Sequence, residues 1–246
     1  MDEDDLLKVI LTEIAGPITS VRHIDTYQVA TSYPLIPPST LIGAIGYALG
    51  RMSKCRAGYD FRQSECFKVV RTLVSKARMC SSSASKASVM LKRVRGVLEE
   101  GVMPKTVDEF TKFSDALIRE YIVFEKMKAL IIPTKQDKDV IDAIAKAMWL
   151  IERLGDSESL VAVTKVSIVD AKPCNEDMVD VVVKANVVEG GNLILMRGSD
   201  EDYNITSLAY PVTSRAGYFM PSSIKVRSNI KVYCADGVRF PVGGDW

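Results

Sequence analysis

Acidic side chains are missing from one long internal stretch: residues 66–98 contain no aspartate or glutamate. The chain as a whole is balanced, with 32 Lys and Arg against 31 Asp and Glu and a net charge of +1. Total charge therefore selects no partner, and only its distribution is informative. Histidine is nearly absent, His23 being the single one. There are five cysteines, Cys55, Cys66, Cys80, Cys174 and Cys234, and no two have the two-residue gap of a zinc knuckle or a dithiol motif. A zinc site would need scattered thiols. Reduced, buried cysteines are the expectation, with an intracellular disulfide left open for a hyperthermophilic source. No Walker loop, nucleophile elbow or paired-histidine motif occurs. No run reaches the roughly 18 apolar residues of a membrane span, and residues 1–5 are acidic, unlike a signal peptide. The expectation is a cytoplasmic protein with no membrane contact, no metal and no cofactor.

What is present is 47% hydrophobic residues over 246 positions, enough for a real core in one large or two small domains. The acid-free stretch carries Lys68, Arg71, Lys76, Arg78, Lys86, Lys92, Arg93 and Arg95. Inside it runs Ser81-Ser82-Ser83-Ala84-Ser85, a flexible segment without core formers. Basic residues flanking a serine tip read as a hairpin or arm lying on a phosphate backbone. The plainer reading is a solvated surface arm. Few aromatics interleave, which favours holding a backbone over stacking bases.

The most organised stretch is residues 37–50. Pro37 and Pro38 end an extended segment, and Ser39 or Thr40 is placed to cap a helix. Leu41, Ile45, Ala48, Leu49 and Met52 recur on one face. Gly43, Gly46 and Gly50 share another side, each costing about 1 kcal/mol against alanine. Something must approach that backbone closely: a sheet packed on it, or a strand, loop or nucleic-acid backbone lying across it.

Taken in order, residues 6–14 read as a strand and 15–36 as loop. After the glycine-bearing helix, 54–65 is irregular and 67–74 strand-like. Thr106 to Glu109 matches a capping box, opening a short amphipathic helix with Val107, Phe110, Phe113 and Leu117, its phenylalanines in the core. Residues 121–132 are expected to be one strand, ended by Pro133. Val140, Ile141, Ile144, Met148, Ile151 and Leu154 predict a helix over 135–154, stopped at Gly155. Residues 160–169 form a strand whose apolar phase slips between Val163 and Val166, as at a bulge. The order is βαββαβ. The expected fold class is α+β: a ferredoxin-like or RRM-like domain over residues 1–173 with a basic hairpin arm inserted at about 75–117. Beyond Pro173, alternation at 178–188 and turns at Gly190-Gly191 and Asp236-Gly237 predict a small β-rich domain over 174–246.

Isolated polar groups carry weaker signals. His23 with Tyr27 and Tyr33 is the one arrangement that suggests acid–base cleavage of RNA, although a lone histidine near a strand end is more often structural. Glu152, Asp156 and Glu158 gather acid at a helix end, as a metal site or, more simply, a solvated turn. Residues 214–218 fit contact with a phosphate and a base or, more plainly, a loop in the β-rich domain.

Four places in order resemble the Cas-five family, the repeat-associated (RAMP) subunits of type I CRISPR surveillance complexes. The first is residues 36–50. The second is Leu91-Lys92-Arg93-Val94-Arg95, at the family's inserted thumb hairpin. The third is residues 151–161, where Leu154, Gly155, Ser157, Glu158, Ser159, Leu160 and Val161 match a helix-to-strand junction. The fourth is Phe240-Pro241-Val242-Gly243-Gly244. Together they span nearly the whole chain, in a style nearest the archaeal type I-A branch. The resemblance implies a non-catalytic subunit, not an enzyme, that caps the 5′ handle of a CRISPR RNA. Its implied partners are that RNA, the backbone RAMP subunit and the large subunit of the complex. It implies handle contacts at Ser39, Thr40, Gly43 and Tyr47 and thumb contacts at Lys86, Lys92, Arg93 and Arg95; the charge reading adds Lys68, Arg71, Lys76 and Arg78. One branch of the family cuts precursor RNA with Tyr, Lys and His. Here His23 lies in the loop after the first strand with no lysine beside it, a departure from that pattern. The alternatives are a metal-independent endoribonuclease processing CRISPR repeat RNA and a general RRM-like adaptor in another ribonucleoprotein.

Overall fold

The computed structural model describes residues 7–26, 29–56, 58–93, 101, 103–112 and 115–246, with 91–93, 110–112, 115 and 116 as backbone alone. Strand β1 (Leu7–Ala15) is apolar at both parities, which suits a strand covered on both faces. Within the segment read as loop lie two short strands, β2 (Ile18–Thr19) and β3 (Val29–Ala30). Helix α1 (Pro38–Arg51) follows, with Pro37 at its N-cap. Neither Ser39 nor Thr40 caps it. Proline at the first helical position replaces an N–H that would have had no partner.

Residues 67–74, expected as a strand, instead form helix α2 (Glu65–Leu73). Ser64 caps it, its Oγ accepting from the Phe67 amide at 3.1 Å. Cys66 and Val70, one turn apart, are its buried residues, so the apolar phase is helical although the residue types favour strand. Next come β4 (Val74–Met79), β5 (Ala84–Arg93), a short α3 (Val107–Lys112), β6 (Asp115–Val123) and β7 (Lys126–Pro133). The single strand expected over 121–132 is thus the end of one strand and most of another, broken at Phe124 and Glu125. Helix α4 (Lys138–Trp149) is shorter than expected. Ile151 and Leu154 keep the apolar rhythm and stay buried beyond its end, which is why periodicity overran it. Strand β8 (Ala162–Cys174) carries the expected slip: Glu13 pairs with Lys165 and Ile14 with Val163, leaving Thr164 extra at a bulge.

The rest is strand-rich: β9 (Met178–Val179), β10 (Val183–Lys184), β11 (Val188–Gly191), β12 (Ile194–Ser199), β13 (Ile205–Tyr210), β14 (Val212–Arg215), β15 (Tyr218–Pro221), β16 (Ile224–Val226), β17 (Lys231–Ala235) and β18 (Val238–Val242). One sheet has the order β18-β17-β8-β1-β7-β4, every pair antiparallel. One of its faces sends Ile10, Ile14, Ala77, Ala129 and Ile131 into a core with Leu41, Ile45, Ile144 and Met148 of the helices. The other sends Val9, Leu11, Leu130 and Ile132 into a core with Val181, Val183, Ile224 and Phe240. Residue 173 lies inside β8, and β17 continues that same sheet.

The cysteine expectation is corrected. Cys55 is bonded to Cys66 and Cys174 to Cys234, leaving Cys80 free and buried. Burial pushes the Cys80 thiol up to about 12, so it is inert as a nucleophile.

The arm is an antiparallel hairpin of β5 and β6, with Arg93 opposite Asp115 at its outer end. The serine run is not its tip. Ser81 donates its hydroxyl to Pro211 O at 2.6 Å, and its amide bonds Asp180 O; Ser82 and Ala84 are buried. Residues 81–85 are the pinned root of the arm. Phe113 lies outside the described residues, as does the side chain of Phe110, while Val107 is exposed.

Candidate nucleic-acid interface

Helix α1 buries Leu41, Ile45, Ala48 and Leu49, which turns Thr40, Gly43, Ala44 and Tyr47 outward. These four, spaced along successive turns, form one wall of a cleft of about 280 Å³; Glu152, Arg153 and Gly155 form the other. Tyr47 is 55% exposed. The second wall is held tightly. Thr19 donates its hydroxyl to Leu154 O at 2.5 Å, and Ser159 Oγ accepts from the Ser20 amide at 2.9 Å. Gly155 has φ of +112°, and a Cβ there would lie 2.5 Å from Ser20 O; only glycine fits. Arg51 ties the walls together through Glu152 at 2.8 Å. Asp156 and Glu158 both pair with Arg119. Among the described residues no group of three or more His, Cys, Asp or Glu stands together to hold a metal.

The glycines of α1 serve packing, though not on a sheet. A Cβ on Gly46 would lie 2.5 Å from the Phe61 ring, and one on Gly50 would touch Cys66 Sγ at 3.4 Å. The segment around α2 therefore presses on α1. Gly43 is the exception, bordering both the cleft and the Tyr203 hydroxyl.

The structure sorts the twelve residues expected to meet RNA. Thr40, Gly43 and Tyr47 share the cleft. Ser39 does not: it is buried, and its carbonyl accepts from Tyr203 Oη at 3.0 Å. Lys68 is exposed on α2. Arg71 is taken by Asp202, Nε to Oδ1 at 2.6 Å. Lys76 donates to the Trp246 main-chain oxygen at 3.0 Å, and burial pulls its amine below the usual lysine range despite Glu201 nearby. Arg78 is a correction: it is fully buried, and no ligand can reach it. Lys86 pairs with Glu120 on the facing strand at 2.9 Å. Lys92 and Arg93 lie on β5, paired in register with Ala116 and Asp115. Arg95 lies outside the described residues.

The acid missing from residues 66–98 is thus supplied by residues distant in sequence. The turn joining β12 and β13 contributes Glu201 to Arg78 and Asp202 to Arg71, and Asp200 to Lys184 at 3.0 Å. Asp200 Oδ1 also accepts from the amides of Asp202 and Asn204. Three acids in a row at 200–202 were the available signal, but only folding shows what they face.

His23 stacks edge-on against Tyr33, ring centres 4.9 Å apart. Tyr33 spends its hydroxyl on Arg197 O at 2.7 Å, and burial pushes that phenol above its ordinary range. Tyr27 lies outside the described residues. No helix among the described residues is long and apolar enough to cross a membrane.

Residues 9–213 match the family described as CRISPR-associated protein (Cas_Cas5). The chain belongs to the Cas5 family. It is 34% identical over 239 residues to the CRISPR-associated protein Cas5 of Thermoproteus tenax, covering 96% of this chain and 98% of that one. A second Cas5 protein, of Methanocaldococcus jannaschii, is 30% identical over 151 residues, covering 60% and 58%. In fold the chain is similar to a CRISPR protein from Archaeoglobus fulgidus, with TM-score 0.54 at 15% identity, covering 96% of this chain and all (100%) of that one.

Proposed function

We propose that this Cas5 chain is a non-catalytic subunit that binds CRISPR RNA and caps its 5′ handle in a cytoplasmic type I surveillance complex of the archaeal I-A style. The observation that carries the reading is the cleft. The two stretches whose sequences most resemble the family, one around α1 and one at the junction after α4, converge there from distant parts of the chain. The order β8-β1-β7-β4, with α1 and α4 on one face, supports a ferredoxin-like core. The β5–β6 hairpin supports an arm directed at a neighbouring backbone RAMP subunit, with the large subunit seated nearby. Of the arm's cations, Lys86 remains partly exposed beside Glu120, so the arm is expected to hold RNA through residues farther out, toward Lys92 and Arg93.

Sequencing of the RNA that co-purifies with the full chain tests this. Short RNAs sharing one 5′ end are expected; heterogeneous RNA or none overturns handle capping. Incubation with CRISPR repeat RNA tests the absence of catalysis, where specific scission lost in His23→Ala would show an endoribonuclease. Lys92→Ala with Arg93→Ala should weaken binding and flatten its salt dependence by about two charges' worth of counterion release.

A further inference from the structure

One wall of the cleft carries a carboxylate, Glu152. A carboxylate repels a phosphate. It accepts hydrogen bonds instead, and in a nucleic acid the donors lie on base edges and sugars. Resting on the reading of this face as RNA-binding, we propose that the cleft receives one unpaired base, a guanine, and that Glu152 is the residue that selects it.

The geometry fits that occupant in several ways. At about 280 Å³ the cleft sits at the lower bound of ligand sites, roughly 300 Å³; it has room for one base and not for a duplex. Tyr47, on the opposite wall, offers a half-exposed ring on which an unstacked base can lie. Gly43 and Ala44 between them add no bulk. Arg51 Nη1 holds Glu152 Oε2 at 2.8 Å, which orients the carboxylate and leaves Oε1 and the second lone pair of Oε2 to accept from the ligand. Arg153 brings a cation for the phosphate of the same nucleotide. Guanine alone among the four bases presents two adjacent donors, N1–H and the N2 amino group, to the two oxygens of a carboxylate. Adenine and cytosine present one amino group beside an acceptor. Uracil sets its N3–H between two carbonyl oxygens that the carboxylate repels.

The test uses the full chain and a pool of short single-stranded RNAs, sequenced after retention on the protein. Guanine should be enriched at one fixed distance from the 5′ end. Replacing that guanine by inosine, which lacks the N2 amino group, should weaken binding to the unaltered protein roughly ten- to a hundredfold. Glu152→Gln should bring the guanine and inosine RNAs to nearly equal affinity while leaving the circular dichroism unchanged. Should that variant fail to fold, the inosine result on the unaltered protein decides alone. RNA retained without guanine enrichment, or an inosine RNA bound as well as the guanine one, overturns the proposal and leaves handle capping standing. The same holds for a guanine preference that survives Glu152→Gln. No RNA retained at all overturns both.

Discussion

Arg78 and Glu201 face each other inside the protein, Nε 2.8 Å from Oε1 and Nη2 3.0 Å from Oε2, with side chains 0% and 4% exposed. The Nε contact is close in distance but out of line for a hydrogen bond, and Nη1 finds no acceptor. Arg78 also donates to the Trp246 main-chain oxygen and lies over that indole ring, 5.3 Å from its centre. A buried pair is worth little against an apolar replacement, but breaking one side strands a charge. Glu201→Ala should therefore cost about 3–5 kcal/mol in urea unfolding. Arg78→Met combined with Glu201→Leu should recover most of that loss; a double variant as unstable as the single one would count against the ion-pair account.

Gly155 makes the second wall of the cleft possible. Its φ of +112° and the Ser20 carbonyl 2.5 Å from any added Cβ combine two penalties. Gly155→Ala should cost about 1–3 kcal/mol and weaken RNA binding together with stability. Gly237→Ala is the control, with φ of +74° and nothing within 4 Å of an added Cβ; it should cost only about 1 kcal/mol. Equal losses from the two would mean that the Ser20 contact relaxes freely.

The elements legible in the sequence were those whose apolar period matched their final geometry. β1, α1, the body of α4 and the bulge in β8 show this. Where period and residue type disagreed, residue type misled: Phe67, Val69 and Val70 favour strands, yet Ser64 caps a helix there. Half the cleft was legible, in Thr40, Gly43 and Tyr47. Glu152 and Arg153 fall within the junction at 151–161, but nothing in a linear sequence says that a junction after α4 faces α1. The acid-free stretch misled for a related reason. Charge counted along the chain ignores partners that folding brings in, and Glu201, Asp202 and Glu120 claim three of the eight cations.

The two disulfides stabilise unequally if they act by shortening the unfolded chain. Cys174 and Cys234 are 60 residues apart, Cys55 and Cys66 only 11. Chain-entropy arguments give about 4 and about 3 kcal/mol respectively. Alkylation of the unfolded, unreduced protein should label one thiol, Cys80. Adding reductant should lower Tm, and Cys174→Ser with Cys234→Ser should lower it more than the other pair of substitutions. Labelling of five thiols without reductant would contradict both bridges.

Asp180 sets an acid limit to stability. Burial raises its pKa, but hydrogen bonds from Arg239 and Ser223 outweigh this and hold the carboxyl below its ordinary range. Arg239 grips it with Nε and Nη2, each at 2.8 Å, and Ser223 Oγ donates at 2.7 Å. Asp200 has the same sign: burial raises it, while Lys184 and the amides of Asn204 and Asp202 win. A carboxyl depressed in the folded state contributes stability that is fully present above its unfolded pKa, about 4. That stability is lost as pH falls through the lower folded value. Stability should therefore be flat from neutral pH down to about 5 as far as these two groups act, then fall below about 4. Arg239→Gln removes the main force holding Asp180 down, so the acid unfolding midpoint should move to higher pH and neutral stability should drop. Asp180→Asn should also lower neutral stability, but it should make the acid limb shallower, because one titrating group is gone. A pH midpoint unmoved by Arg239→Gln would place the acid limit in other carboxylates.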